Sequence, residues 1–93
     1  MYATIRSYSG NDLVDALAAR EGDVREVVAT IDGFRAYYLL RTTDGNAVTI
    51  SVYDDQAGAE ASTRAAAAWV GENLADVAIS PPQVTTGDVV FSL

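Results

Sequence analysis

The sequence predicts an α+β domain in which a four-stranded antiparallel sheet carries its helices on one face. Three observations carry that expectation. The stretch Gly33 to Trp69, GFRAYYLLRTTDGNAVTISVYDDQAGAEASTRAAAAW, joins two strand-like segments through Asp44-Gly45 and then enters an alanine-rich run. A short alternating segment opens the chain and leads into a long helical stripe, and a further strand pattern closes the chain after Pro81-Pro82.

Tyr2 to Tyr8, YATIRSY, alternates Ala3 and Ile5 with Thr4 and Arg6, the period-two pattern of a half-buried strand. Ser9-Gly10-Asn11-Asp12 reads as a turn into a helix, with Ser9 or Asn11 placed to cap it. Leu13, Leu17, Val24, Val28 and Ile31 recur at helical spacing across Gly22-Asp23. That stripe predicts one kinked helix or two in tandem, with Asp23 and Glu26 spaced as a capping box for the second part. Asp32-Gly33 then reads as a C-terminal glycine stop.

Phe34 to Arg41 is the second strand and Ala47 to Tyr53 its return. Asp44-Gly45 between them predicts a type I′ hairpin, which needs positive φ at both central residues. Asp54 or Asp55 is placed to cap a helix from Gln56 to about Asp76, whose alanines give it high intrinsic propensity. Ser80-Pro81-Pro82 forbids continuation of that helix. Gln83 to Leu93 holds a last strand with Val84, Val89, Val90 and Phe91. The order strand, helix, strand, strand, helix, strand is the split βαβ, ferredoxin-like arrangement, here one domain over residues 1–93.

The uncovered face of such a sheet is usually polar in a monomer. In this hairpin Phe34, Ala36, Tyr38 and Leu40 alternate with Tyr37 and Leu39, and Val48, Ile50 and Val52 alternate with Ala47, Thr49, Ser51 and Tyr53. Both faces therefore carry apolar groups, and a homodimer with sheets face to face is expected, because large exposed apolar patches are rare on monomers.

Composition excludes several chemistries. The 93 residues include no cysteine and no histidine, which removes disulfides, thiol catalysis, thiolate metal sites and imidazole in any role. Thirteen acidic against 6 basic residues give a net charge of −7, the wrong sign for nucleic acid or an anionic membrane surface. The basic residues are all arginine, which suggests a GC-rich bacterial genome. No apolar run approaches the roughly 18 residues of a membrane span, and Met1 leads into a strand instead of a signal peptide, so the expected location is the cytoplasm. No phosphate loop, nucleophile elbow or metal motif is present.

With these elements placed, the whole chain resembles the dimeric α/β-barrel superfamily, close to antibiotic-biosynthesis-monooxygenase-type domains. The opening MYATIRSY, the step Asp32-Gly33-Phe34 and the segment ISVYDDQAGAEAST carry the resemblance. It implies two subunits whose sheets form a barrel, each with a pocket between sheet and helices. It also implies a range of activities, from cofactor-independent oxygenases of aromatic polyketide-like substrates to haem degraders and domains without known activity. Catalytic members often end the third strand with tryptophan before acidic residues, where this chain has Tyr53. Haem degraders place an axial histidine where it has Ser62 or Thr63, so haem degradation by the family route is not expected, and no cofactor is.

The candidate pocket follows from the polar side of the hairpin and from that resemblance. Thr49, Ser51 and Tyr53 share one face of the third strand and present hydroxyls to a ligand. Arg6, with Tyr8 on its strand face, is placed to polarise an oxyanion or to pair with a carboxylate. Ser62 and Trp69 complete the set from the last helix. Each has a structural alternative: Tyr53 as a core ring with its hydroxyl on backbone, Arg6 in an ion pair, and Trp69 as helix-to-sheet packing. Asp54-Asp55 reads as helix capping in preference to a catalytic carboxylate pair. Two functions stay open: a domain that binds a small aromatic or hydrophobic ligand, and a cofactor-independent monooxygenase of a phenolic or polyketide-like substrate.

Overall fold

A computed structural model of the chain describes residues 1–10, 12–75, 77 and 81–93. Its elements are β1 (Tyr2–Tyr8), α1 (Asp12–Ala18), α2 (Glu21–Val28), β2 (Phe34–Arg41), β3 (Ala47–Tyr53), α3 (Gln56–Asn73) and β4 (Gln83–Asp88). The strands form one antiparallel sheet in the order β2-β3-β1-β4. This is the ferredoxin-like arrangement, with the first helical segment divided in two. Asn11, Asp76 and Ser80, assigned from sequence to a cap, a helix end and a stop, lie outside the described residues.

The division falls earlier than the sequence suggests. The helix breaks at Ala19-Arg20, where Arg20 takes φ −125° and ψ 37° and offers no side-chain cap. Gly22 instead lies inside the first turn of α2, where its N–H needs no intrahelical partner, so it breaks nothing. The expected capping box at Asp23 and Glu26 therefore has no helix start to serve. At the other end α2 stops at Val28, and Gly33, at φ +85°, turns the chain into β2 rather than ending the helix.

The hairpin also departs from its expected turn. Gly45 is left-handed at φ +85°, but Asp44 is not, so the type I′ turn is absent. Gly45 N–H donates to the Thr42 carbonyl at 3.1 Å, and Thr42 N–H to the Asn46 carbonyl at 2.9 Å. The Thr42 hydroxyl donates to the Asp44 carboxylate and accepts from Asn46 N–H, which holds Asp44 in the ordinary region and leaves one left-handed residue to close the loop.

An irregularity between Phe34 and Ala36 changes the face assignment of β2. Phe34 pairs with Tyr53, whereas Ala36 pairs with Val52, so Arg35 is the extra residue of a bulge. Phe34 thereby joins Tyr37 and Leu39 on the helix side instead of Ala36, Tyr38 and Leu40, and its ring meets Tyr53 edge-on at 5.8 Å. Arg35, turned outward, pairs with Asp54, which leaves Asp55 to cap α3 by accepting from Gly58 N–H at 2.9 Å.

The core gathers Leu13, Val14 and Leu17 of α1, Ala47 of β3 and Leu74 beyond α3, with Tyr8, Leu39, Trp69 and Val70 packed around them. Alanines and small residues let α3 lie close to the sheet. A Cβ on Gly58 would stand 3.0 Å from the Asp32 carbonyl and 3.3 Å from the Tyr53 ring, so that close approach requires glycine. β4 is shorter than expected, because β1 begins at Tyr2, which pairs with Asp88. Past the single bond from Val89 N–H to the Met1 carbonyl there is no partner strand, and Val90, Phe91 and Leu93 stand exposed beyond it.

Candidate site beneath the helices

Backbone register dictates what the helices cover. On the helix side of the sheet, Thr4, Ser51 and Tyr37 form one cross-strand row, and Arg6, Thr49 and Leu39 the next. α3 seals Thr4, Arg6, Thr49 and Ser51 from solvent, so a polar floor lies where a sheet–helix layer is ordinarily apolar. Arg6 retains only 7% of its surface.

Such burial is costly unless each polar group is satisfied. Here the satisfaction is incomplete. Arg6 donates from Nη2 to Thr63 Oγ1 of α3, its one hydrogen-bond partner among the described residues, and no carboxylate among them lies within ion-pairing distance. Ser51 Oγ is buried without a partner. Ser62 Oγ, near the Tyr53 phenol, likewise makes no hydrogen bond of normal geometry. The ion pairs found among the described residues, Arg35–Asp54 and Arg41–Asp15, are exposed and stand apart from this cluster.

Of the six residues singled out from sequence, Arg6, Thr49, Ser62 and Trp69 line one cavity of about 40 Å³. Tyr8, Tyr37, Leu13, Leu17, Val24 and Val28 help to close it. Ser51 and Tyr53 occupy the same strand face but are packed beside the cavity and do not line it. The Tyr53 ring is fully buried, and its hydroxyl donates to the Val28 carbonyl at 2.6 Å, satisfying a carbonyl at the end of α2. Trp69 packs against the core, with the Arg20 guanidinium 6.0 Å from its ring centre.

Tyr8 and Tyr37 are wall residues that the sequence pattern did not mark as a site. Tyr8 was already on the Arg6 face by alternation. Tyr37 was legible only as an apolar residue of β2, and its role depends on which way the bulge turns that strand. Burial pushes the Tyr37 phenol up to about 12; the neighbouring Tyr8 phenol adds to the rise, while Arg6 and the Thr49 hydroxyl oppose it. Burial likewise raises Tyr8 and Tyr53, with the Arg6 charge opposing in both. All three therefore stay neutral at physiological pH, and among the described residues Arg6 is the only charge in the cavity wall.

These raised values carry a stability consequence. Between about pH 10, where an unfolded tyrosine ionises, and about pH 12, the folded state holds a proton that the unfolded state has lost. Stability contributed by Tyr37 is thus complete below pH 10 and is lost as pH rises towards 12. Urea midpoints measured from pH 8.5 to 11.5 are expected to fall above pH 10, and less steeply in Tyr37→Phe; equal slopes in both proteins would show that Tyr37 is not the coupled group.

Two further concavities flank the cavity. A groove of about 610 Å³ runs between α2 and β2, lined mostly by apolar groups including Leu17, Val24, Val28, Phe34, Tyr37 and Leu39, with Glu21 and Arg25 among its charged residues. A smaller one of about 330 Å³ lies between α3 and the β1/β4 edge. Among the described residues no group of three or more acidic side chains is placed to hold a metal ion. No described helix is long and apolar enough to cross a membrane.

Comparison with known proteins agrees with this architecture. No family model and no curated protein matches the sequence. Solved structures do: the haem degrader MhuD from Mycobacterium tuberculosis, with two haems in its active site, superposes with a TM-score of 0.75 over 100% of this chain and 99% of its own, at 18% identity. The ActVA-Orf6 monooxygenase of Streptomyces coelicolor, in complex with nanaomycin D, gives 0.75 at 16% identity over 99% and 89%. SnoaB of Streptomyces nogalater, a cofactor-independent oxygenase, gives 0.67 at 20% identity over 99% and 95%. The resemblance read from the sequence holds: the chain has the ferredoxin-like fold of these monooxygenase-like proteins.

Haem, the ligand of one of these structures, would find none of its usual nitrogen or sulfur ligands from histidine or cysteine here. Tyr53 at the end of β3 is sealed from solvent with its hydroxyl committed to Val28.

Proposed function

We propose that this chain is a single-domain, cytoplasmic small-molecule-binding protein that acts as a homodimer, with its ligand held between the sheet and the helices. One observation carries the reading: Arg6 and Thr49 on the sheet and Ser62 on α3 form a buried, incompletely satisfied polar lining of a cavity, in a layer that packing alone would make apolar. Buried polar groups without a protein partner are rare, and they are commonly met by water or an ion or kept for a functional role; at a cavity wall a bound ligand can meet them in the same way. Thr49, Ser62 and Trp69 border the ligand with Arg6. Ser51 and Tyr53 flank the ligand's cavity on the same face of β3.

The dimer follows from the other face of the sheet. Ile5, Ile50 and Tyr38 form a cross-strand row there, beside Leu40 and Val48, and no helix covers them. Ile5 is 39% exposed and Tyr38 58%, which is uncommon for a contiguous patch on a monomer.

A second reading is a cofactor-independent monooxygenase of a phenolic or polyketide-like substrate. The likeness to SnoaB and ActVA-Orf6 favours it, together with the placement of a guanidinium where it would stabilise an ionised phenol or enol. Such chemistry needs the substrate as its anion and the exclusion of water, both of which a buried cation beneath helices supplies.

Thermal unfolding with phenols, naphthols and anthrone-like compounds tests the binding reading. A ligand present at 100 times its Kd should add about 2.7 kcal/mol of stability. Stabilisation is expected for at least one such class and should weaken in Ser62→Leu, which fills the cavity. A screen with no stabilising compound would overturn the reading. Oxygen uptake with a stabilising compound separates catalysis from binding.

A further inference from the structure

We propose that the ligand is an amphipathic monocarboxylate, its carboxylate seated on Arg6 in the small cavity and its apolar body lying in the groove between α2 and β2. This rests on the reading that the ligand lies between the sheet and the helices, and it adds the chemical class.

The argument begins with charge. A guanidinium has five donors, and among the described residues Arg6 uses one, on Thr63. It is buried, and the net charge of −7 around it comes from acids that do not reach it: no described carboxylate pairs with it. None of the described acidic side chains pairs with this buried cation, and that leaves a place for an anion. One positive charge among neutral walls suits one negative charge. The planar fork of the guanidinium suits a carboxylate, which accepts two parallel N–H bonds. Ser62 Oγ, 1% exposed and without a hydrogen bond of normal geometry among the described residues, supplies a further donor on the same wall.

Size sets the rest. About 40 Å³ holds roughly three waters, hence a carboxylate head but no ring. The larger groove adjoins the cavity, and the two share Leu17, Val24, Val28 and Tyr37 as walls. Its 610 Å³ lies within the usual range of small-molecule sites, roughly 300–1,000 Å³, and its apolar lining suits an aromatic or aliphatic body. Tyr37 lines both spaces, and the proposed ligand requires its side chain to turn aside so that head and body are continuous.

The test is a titration of the full chain, followed by NMR and calorimetry at constant ionic strength, with sodium formate, benzoate and 2-naphthoate and with the neutral benzamide, 2-naphthamide and 2-naphthol. The expected order is 2-naphthoate tighter than benzoate tighter than formate, with each of the two aromatic acids at least tenfold tighter than its amide. One molecule should bind per chain, and the Arg6 Nε–H resonance should shift on saturation. Arg6→Gln is expected to abolish the preference for acid over amide. The resonance shift in the unmodified protein serves the same purpose should that variant fail to fold. Acids and amides binding equally, an unmoved Arg6 resonance, or 2-naphthoate no tighter than formate would each overturn the proposal. If 2-naphthol then binds independently of Arg6, the broader small-molecule reading survives without it; if no compound binds, both fall.

Discussion

Ile50→Asp is expected to convert a dimer into a folded monomer. Ile50 is central to β3 and lies between Ile5 of β1 and Tyr38 of β2 on the face that no helix covers. In the proposed dimer each copy buries it against its partner, and two-fold symmetry makes one substitution act twice. Burial of an isoleucine side chain contributes about 1.5–3 kcal/mol. Losing two such contributions alone, about 4 kcal/mol in total, weakens association about a thousandfold. Placing two carboxylates opposite one another adds to that. The same aspartate on an isolated subunit would face water, so the fold itself should survive. Sedimentation velocity at micromolar concentration should show a dimer for the unmodified chain and a monomer for the variant, with matching far-ultraviolet circular dichroism. A monomeric unmodified chain, or a variant that stays dimeric, would sink the proposed interface. Val52→Asp, one row away beside Ala3 and Ala36, should act in the same direction.

Arg6→Met is expected to stabilise the protein while removing anion binding. A buried guanidinium that pairs with no described carboxylate carries a desolvation cost, against which the described residues set one bond, to Thr63. Replacing buried charged groups by apolar ones of similar volume is often neutral or stabilising by about 1–4 kcal/mol, and methionine fills the same elongated space. The expected result is a higher urea midpoint with unchanged slope, and a loss of any carboxylate-dependent stabilisation. A variant less stable by more than about 1 kcal/mol would show that the guanidinium makes a net structural contribution, and the argument that it is held for a ligand would lose its energetic support. The combination of a gain in stability and a loss of binding is the pattern of a residue retained for function.

Much of this architecture was legible because the signals were local. Alternation in YATIRSY and AVTISVY set each residue's face, and β1 and β3 obey it without exception. Asp55 caps α3 as an aspartate before an alanine run should. Arg6 and Thr49 share the helix side of the sheet because β1 and β3 pair in that register, which alternation within each strand permits but does not fix. Where extra residues entered, the local signal failed. Phe34 changes sides because one residue, Arg35, is accommodated in a bulge, and nothing in FRAYYLLR announces it. The hairpin turn differs from type I′ because the Thr42 side chain bonds across the loop, a contact that the dipeptide Asp-Gly does not encode.

What the amino-acid order determined by itself is the succession of elements, their amphipathic faces and the chemistry left without histidine or cysteine, all properties of spacing and composition. Tertiary structure alone decided which polar residues of that buried face are satisfied. Tyr53 reaches the Val28 carbonyl across 25 positions, and Arg6 reaches Thr63 across 57, so the distinction between a phenol that closes a helix end and a guanidinium left open to a cavity arises only when α2 and α3 pack onto the sheet.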